Sequence, residues 1–76
     1  MTPLQAVKEG TKVRIAKIDA GRGMITQLNH MGLFENDIIT VVRNTYGHLI
    51  LAKDNLRLAV GRGKSFKIFV EQVEGP

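Results

Sequence analysis

The stretch LNHMGL, residues 28–33, has the pattern of a helix end, and it determines how the rest of the chain is interpreted. Upstream, four apolar residues fall at the spacing of one helical face: Met24, Ile25, Leu28 and Met31. Gly32 stands where the chain must turn left-handed, a conformation that costs other residues about 1–2 kcal/mol. Leu28 and Leu33 would then make the apolar contact of a Schellman motif. We therefore predict a short helix over about residues 24–31, ended by Gly32.

The rest of the chain predicts about five short antiparallel strands, because apolar and polar residues alternate in it. The predicted strands contain Val13 and Ile15, Ile38–Arg43, His48–Lys53, Leu56–Val60 and Phe66–Val70. Ile18 breaks the alternation, which indicates a bulge near Lys17. Ile38–Arg43 is apolar on both faces and is expected to be a central strand. The fold class is mainly β: a small, closed, curled barrel with the helix over one open end.

Turn residues separate the predicted strands. Asn36 is expected to adopt a left-handed conformation, since asparagine tolerates it better than other non-glycine residues. Asp54 and Asn55 form a two-residue connection that suits a primed hairpin turn. Gly61–Ser65 is predicted to be a short irregular link, and 74–76 a tail. We expect residues 1–76 to form one domain with an ordered core over about 4–73.

Composition excludes several classes of function. The chain has 76 residues, of which 43% are hydrophobic, and it has no cysteine, so neither a disulfide nor a thiolate metal site is available. It shows no signal-peptide pattern and no apolar run long enough to span a membrane, so we expect a cytoplasmic protein, peripheral to a membrane at most. Eleven basic and seven acidic residues give a net charge of +4, but the basic residues are dispersed.

Few residues could carry chemistry. Ser65 is the single serine and no local pattern makes it a nucleophile, so we expect no enzymatic activity. His30 and His48 are the candidate metal ligands, and Glu35, Asp37 or Asp54 could complete a site of nitrogen and oxygen ligands. His30 is also favoured near a helix C-terminus by the helix dipole, and His48 is an ordinary loop-edge residue. The sequence leaves both interpretations open for these histidines: a metal-binding role and a purely structural one.

The order of these motifs resembles the FeoA family. The matching segments are GTKVRI at 10–15, LNHMGL at 28–33, DIITV at 37–41, LRLAVGRG at 56–63 and KIFV at 67–70. The resemblance covers residues 4–70 and implies an SH3-like barrel with an inserted helical segment. It further implies an accessory role beside FeoB, a membrane permease with a cytosolic GTP-binding domain. Asn36 and Asn55 stand where the family usually has glycine, and both keep tolerance for the left-handed conformation.

On this resemblance, the chain is expected to dock on the cytosolic part of the permease and to require no cofactor. The expected contact surface is the exposed part of the helix and its following turn: Asn29, His30, Phe34 and Glu35, aided by Arg57 and Arg62.

Two alternative functions remain at this stage. The stretch 10–25 also resembles the KOW element of nucleic-acid-binding barrels, although the few aromatic residues make no stacking platform and no nucleic acid is expected. A direct sensor or chaperone of ferrous iron, which would bind weakly through His30 or His48, is the other alternative. The oligomeric state is left open.

Overall fold

The structure is a computed structural model that describes residues 1–73. Its strands are β1 (Thr2–Pro3), β2 (Lys12–Ile18), β3 (Ile38–Thr45), β4 (His48–Lys53), β5 (Leu56–Val60) and β6 (Ile68–Gln72). Two short helices, α1 (Arg22–His30) and α2 (Arg62–Ser65), and one 3-10 turn (Leu4–Ala6) join them. The predicted tail, 74–76, lies outside the described residues.

The strands form one antiparallel sheet in the order β1-β6-β2-β3-β4-β5. This confirms the mainly-β fold class and the five predicted strands, to which the structure adds the two-residue β1. The predicted closure is wrong in one respect. Within residues 1–73 the sheet is open, because β1 and β5 lie at its two ends and do not pair with each other.

Two bulges give the sheet its curvature. The pairing of β2 with β6 shifts between Ile15 and Lys17, which confirms the bulge predicted there. A second shift, between Val41 and Arg43 in the pairing of β3 with β4, was not predicted. It leaves Val42 41% exposed, and Ile38 is 44% exposed. β3 is therefore central in the sheet, but its outer face is exposed and not buried as predicted.

A single cluster of buried apolar side chains fills the inside of the curled sheet. Its members come from the N-terminal turn, the helix end and five strands: Leu4, Val7, Val13, Ile15, Ile18, Leu28, Leu33, Ile39, Val41, Leu49, Leu51, Val60, Ile68 and Val70. Met24, Ile25 and Met31 pack against the cluster from α1, as the helical spacing predicts. The helix thus covers one end of the core.

Helix α1 ends in the motif that its sequence predicts. The Leu33 N–H donates to the Leu28 carbonyl at 2.9 Å, and the Gly32 N–H donates to the Asn29 carbonyl at 3.0 Å. Gly32 has φ 97°, the left-handed conformation expected of it. The predicted start is wrong by two residues, since the helix begins at Arg22 after Gly21, whose backbone is extended. Gly21 offers no side chain to cap the helix, so the local sequence marks this end weakly.

The turns differ in which residue is left-handed. Asn36 has φ 75°, as expected, but in the hairpin between β4 and β5 the left-handed residue is Asp54, with φ 53°, and not Asn55. The hairpin between β3 and β4 turns on Tyr46, with φ 52°, and Gly47, with φ 88°. Positive φ at both central residues matches the twist of the flanking strands.

The predicted irregular link at 61–65 is wrong, because Arg62–Ser65 is a helical turn. A tertiary contact stabilises it: the buried Ser65 hydroxyl donates to the Gly47 carbonyl at 2.6 Å. Phe66, predicted to begin the last strand, follows this turn, and β6 starts at Ile68. A four-residue helix has too little internal hydrogen bonding to form alone.

The N-terminal segment is joined to the β3–β4 hairpin by Asn44. Its side-chain amide donates to the carbonyls of Gln5 at 2.7 Å and Val7 at 2.9 Å. Its Oδ1 accepts from the Gly47 N–H at 3.1 Å. Leu4 is thereby placed in the core, and β1 pairs with β6 through Thr2, upstream of the predicted ordered core.

Candidate partner-binding surface

An exposed aromatic ring marks the turn after α1. Phe34 follows the helix end directly and is 45% exposed. It borders a shallow groove whose other sides are Ile18, Ile25, Asn29 and Glu35. We call these five residues the Phe34 surface. The groove combines apolar side chains with one amide and one carboxylate, a composition that suits contact with another protein.

The backbone beneath Phe34 is held by a polar cluster. Asp37 Oδ2 accepts hydrogen bonds from the Phe34 N–H at 2.8 Å and from Lys53 Nζ at 2.7 Å. Lys53 Nζ also donates to the Gly32 carbonyl at 2.5 Å and lies 5.4 Å from the centre of the Phe34 ring. A cation at a helix C-terminus satisfies free carbonyls and interacts favourably with the helix dipole. The turn is therefore ordered before any partner binds.

The same turn is joined to β2. The Asn36 N–H donates to the Ile15 carbonyl at 2.7 Å, and the Ile15 N–H donates to the Asp37 carbonyl at 2.9 Å. Glu35 Oε2 accepts from the Ile18 N–H at 3.3 Å. Glu35 thus has a structural contact in addition to its predicted role in binding, although its side chain stays exposed.

The two candidate metal ligands lie apart. His30 is the last residue of α1, next to the turn that Lys53 holds, whereas His48 is the first residue of β4. The strand from His48 to Lys53 is about 17 Å long, at about 3.3 Å per residue. Within the described part of the chain, no group of three or more His, Cys, Asp or Glu side chains could hold a metal ion. Asp37, offered above as a further ligand, is instead bonded to Lys53.

The six residues predicted to contact a partner are only partly brought together. Asn29, Phe34 and Glu35 share one groove, and the exposed His30 adjoins them. Arg57 is exposed on the outer face of β5. Arg62 lies beside Gly47, in a separate groove with Tyr46 at the other end of β4. The structure therefore does not place Arg62 on the Phe34 surface.

Sequence reasoning missed the residues that position this surface. Lys53 lies 16 residues from Asp37 and belongs to another strand, so no local pattern indicates their contact. The bond from the Phe34 N–H to Asp37 spans three residues, and it runs from an earlier N–H to a later side chain, opposite to the usual turn bond of an aspartate. None of the helices within residues 1–73 is long and apolar enough to cross a membrane.

Known proteins resemble this chain both in sequence and in fold. The chain is 40% identical over 74 residues to the protein named "Putative Fe(2+) transport protein A" of Methanocaldococcus jannaschii, covering 97% of this chain and 90% of that protein. A crystal structure of an iron uptake regulatory protein, FeoA, matches with a TM-score of 0.83 and 26% identity, over 95% of this chain and 96% of that one.

The same fold occurs inside a larger protein. The manganese regulator SloR matches with a TM-score of 0.83 at 18% identity, and the match spans 95% of this chain but 34% of SloR. That likeness shows the fold alone. The FeoA domain family model, by contrast, matches residues 2–72, nearly the whole chain. With the 40% identical relative, this shows that the chain belongs to the FeoA domain family.

Proposed function

We propose that this chain is a non-enzymatic accessory protein of ferrous iron transport, which acts in the cytoplasm by docking on the cytosolic part of a FeoB-type permease. Family membership and the name of the 40% identical relative, an Fe(2+) transport protein A, support the transport role. The 26% identical FeoA is described as an iron uptake regulatory protein, which supports an accessory role.

The docking face is argued from Phe34, whose ring is exposed while its backbone N–H is bonded to Asp37. Aromatic residues that fill a partner's pocket contribute a large share of the binding energy at protein interfaces. Because Asp37 and Lys53 already hold the turn, binding would cost little additional ordering of the backbone. Asn29 and Glu35 border the ring and supply polar contacts at the rim.

A direct titration tests this docking face. Wild-type protein is titrated with the purified cytosolic part of the permease, alongside Phe34→Ala and Phe66→Ala. Phe66 is a matched control, since it is 46% exposed and has Lys67 Nζ 5.1 Å from its ring centre, as Phe34 has Lys53. We expect Phe34→Ala to raise Kd by about tenfold or more and Phe66→Ala to leave it unchanged. Equal losses in both variants would contradict the proposed face.

A second experiment tests docking itself. Tagged protein is cross-linked in iron-starved cells and purified, and its partners are identified. Recovery of the permease is expected, and its absence from repeated cross-linked samples would contradict the docking proposal whatever the titration shows.

In this proposal the protein requires no resident cofactor and binds no nucleic acid. His48 begins β4, whereas His30 ends α1 next to the turn bonded to the other end of β4, so ferrous iron would meet single imidazole groups and bind weakly. Anaerobic calorimetry with Fe²⁺ on wild type, His30→Ala and His48→Ala should give equally small heats. A large heat that one of these substitutions abolishes would restore the metal-sensor alternative.

A further inference from the structure

Strand β5 is an edge strand that has one charged side chain, Arg57, but no proline, lysine or bulge. Within residues 1–73 it pairs with β4 and with no strand on its other side. The opposite edge, β1, is two residues long and ends in Pro3, which has no N–H to donate. β5 has five residues, contains neither proline nor lysine, and pairs with β4 without a register shift. It therefore offers a regular row of backbone groups to another strand.

The register shows which backbone groups face outward. Lys53 and Leu56 form the pair that closes the hairpin turn. Along two antiparallel strands, hydrogen-bonded pairs of residues alternate with pairs that are not hydrogen-bonded. In a two-residue hairpin the closing pair is hydrogen-bonded. The backbone groups of Leu56, Leu58 and Val60 are thus directed to β4, and those of Arg57 and Ala59 to the open edge.

The side chains of β5 differ between its two faces. Leu58 pairs with the buried Leu51, so Leu56 and Leu58 lie on the core side, where Leu56 is 54% exposed. Arg57 and Ala59 lie on the outer face, and both are exposed. A strand added at this edge would therefore place alternate side chains against leucine on one face and against an arginine on the other.

We propose that β5 binds an extended segment of a partner protein by strand addition, and that the segment alternates apolar with acidic residues. The apolar side chains would cover Leu56 and Leu58. The acidic ones would pair with Arg57, in a chain whose net charge is +4. No residue of β5 lines the groove of the Phe34 surface, and the inference goes beyond the docking proposed above.

In the register centred on Leu58, a second copy of this chain fits the edge poorly. If two β5 strands paired antiparallel about Leu58, Arg57 of one copy would lie opposite Ala59 of the other. The two Arg57 side chains would then be diagonal neighbours on the same face, about 7–8 Å apart. Like charges at that distance repel, and both copies carry the same net charge of +4. The charge pattern therefore favours an acidic partner over self-association.

The test uses synthetic peptides and the full chain. A short peptide of alternating valine and glutamate and its valine–lysine counterpart are titrated into isotope-labelled protein and followed by NMR. We expect the acidic peptide to bind about five- to tenfold more tightly, with the largest shifts at the amides of Arg57 and Ala59. Equal affinities, shifts confined to other strands, or dimerisation without peptide would overturn the proposal.

Two variants test the mechanism. Ala59→Pro removes an outward N–H without touching the pairing with β4, and should weaken binding of the acidic peptide about tenfold. Ala59→Val keeps the N–H and should bind as wild type does. Arg57→Glu should reverse the preference between the two peptides, which a damaged fold could not do. If Arg57→Glu keeps the preference for the acidic peptide, the proposed charge pairing is wrong.

Discussion

At the scale of single residues, Gly32 shows that backbone conformation and space for a side chain are separate requirements. Its φ is 97°, yet a Cβ atom added there would meet no heavy atom within 4 Å. A substitution is therefore strained by the backbone alone, without a clash. Gly23, in the first turn of α1, has equal space and no positive φ, so it makes a matched control.

We predict that Gly32→Ala lowers the free energy of unfolding by about 1–2 kcal/mol, whereas Gly23→Ala raises it by about 0.5–1 kcal/mol. Chemical denaturation of the three proteins measures both changes. A neutral Gly32→Ala would mean that the helix end does not require the left-handed conformation.

The residue scale also shows which turn residues adopt the left-handed conformation. Asn36 adopts the left-handed conformation, because its turn is bonded to β2 through the Asn36 N–H and the Ile15 carbonyl. At the β4–β5 hairpin the neighbouring Asp54 adopts it instead of Asn55. Asparagine and aspartate both tolerate this conformation, so composition alone does not determine which of two adjacent residues takes it.

At the scale of elements, helix α1 and strand β4 are coupled through one side chain. Lys53, at the end of β4, bonds to Gly32, just after the end of α1, and to Asp37 before β3. The side chains of Lys53 and Asp37 are each 21% exposed, so water screens their pairing less than it does on an open surface. The pair of Arg14 with Glu71, at about half exposure, is expected to contribute little.

We predict that Lys53→Met lowers the free energy of unfolding by about 1–3 kcal/mol, because it leaves Asp37 and the Gly32 carbonyl without a charged donor. Amide exchange at Phe34 and Asp37 should accelerate in the same variant. Lys12→Met, at an exposed position in β2, is the control and should change stability by less than about 0.5 kcal/mol. Unchanged exchange at Phe34 would show that the turn is ordered without Lys53.

Elements with a periodic pattern and a local stop were predictable, and those that depend on distant contacts were not. Helix α1 has both an apolar face and a Schellman end, so its type and its C-terminus follow from neighbouring residues. Helix α2 has four residues and depends on the contact of Ser65 with Gly47, 18 positions away. The bulge in β2 broke the alternation at Ile18, whereas the bulge in β3 follows a run of β-branched residues, 38–42, that shows no alternation to break.

At the scale of the whole molecule, one buried cluster joins the N-terminal turn, α1 and the sheet. We predict that the protein unfolds in a single cooperative transition, since no part of it has a core of its own. A stability of about 4–11 kcal/mol is expected for a chain of this length. Denaturation followed by circular dichroism and by NMR methyl signals should give one midpoint. An earlier transition of Leu4 and Val7 would contradict this prediction.

The whole-molecule arrangement also separates the residues predicted for binding. Asn29, Phe34 and Glu35 are close in sequence and remain close in the fold, so a local segment sufficed to group them. Arg62 was grouped with them on charge alone, and the fold places it beside Gly47 at the far end of β4. Charge and exposure identify surface residues, but only the path of the chain shows which of them share a face.

The sequence by itself determined the mainly-β class, the helix end at Gly32 and the bulge near Lys17, because each depends on residues a few positions apart. It also determined the resemblance to FeoA, which depends on the order of such local motifs along the chain. The tertiary structure alone decided that the sheet stays open at β5, that 62–65 is helical, and that Lys53 holds the Phe34 turn. These features depend on backbone and side-chain partners that lie far apart in the chain, and a local pattern carries no information about such partners.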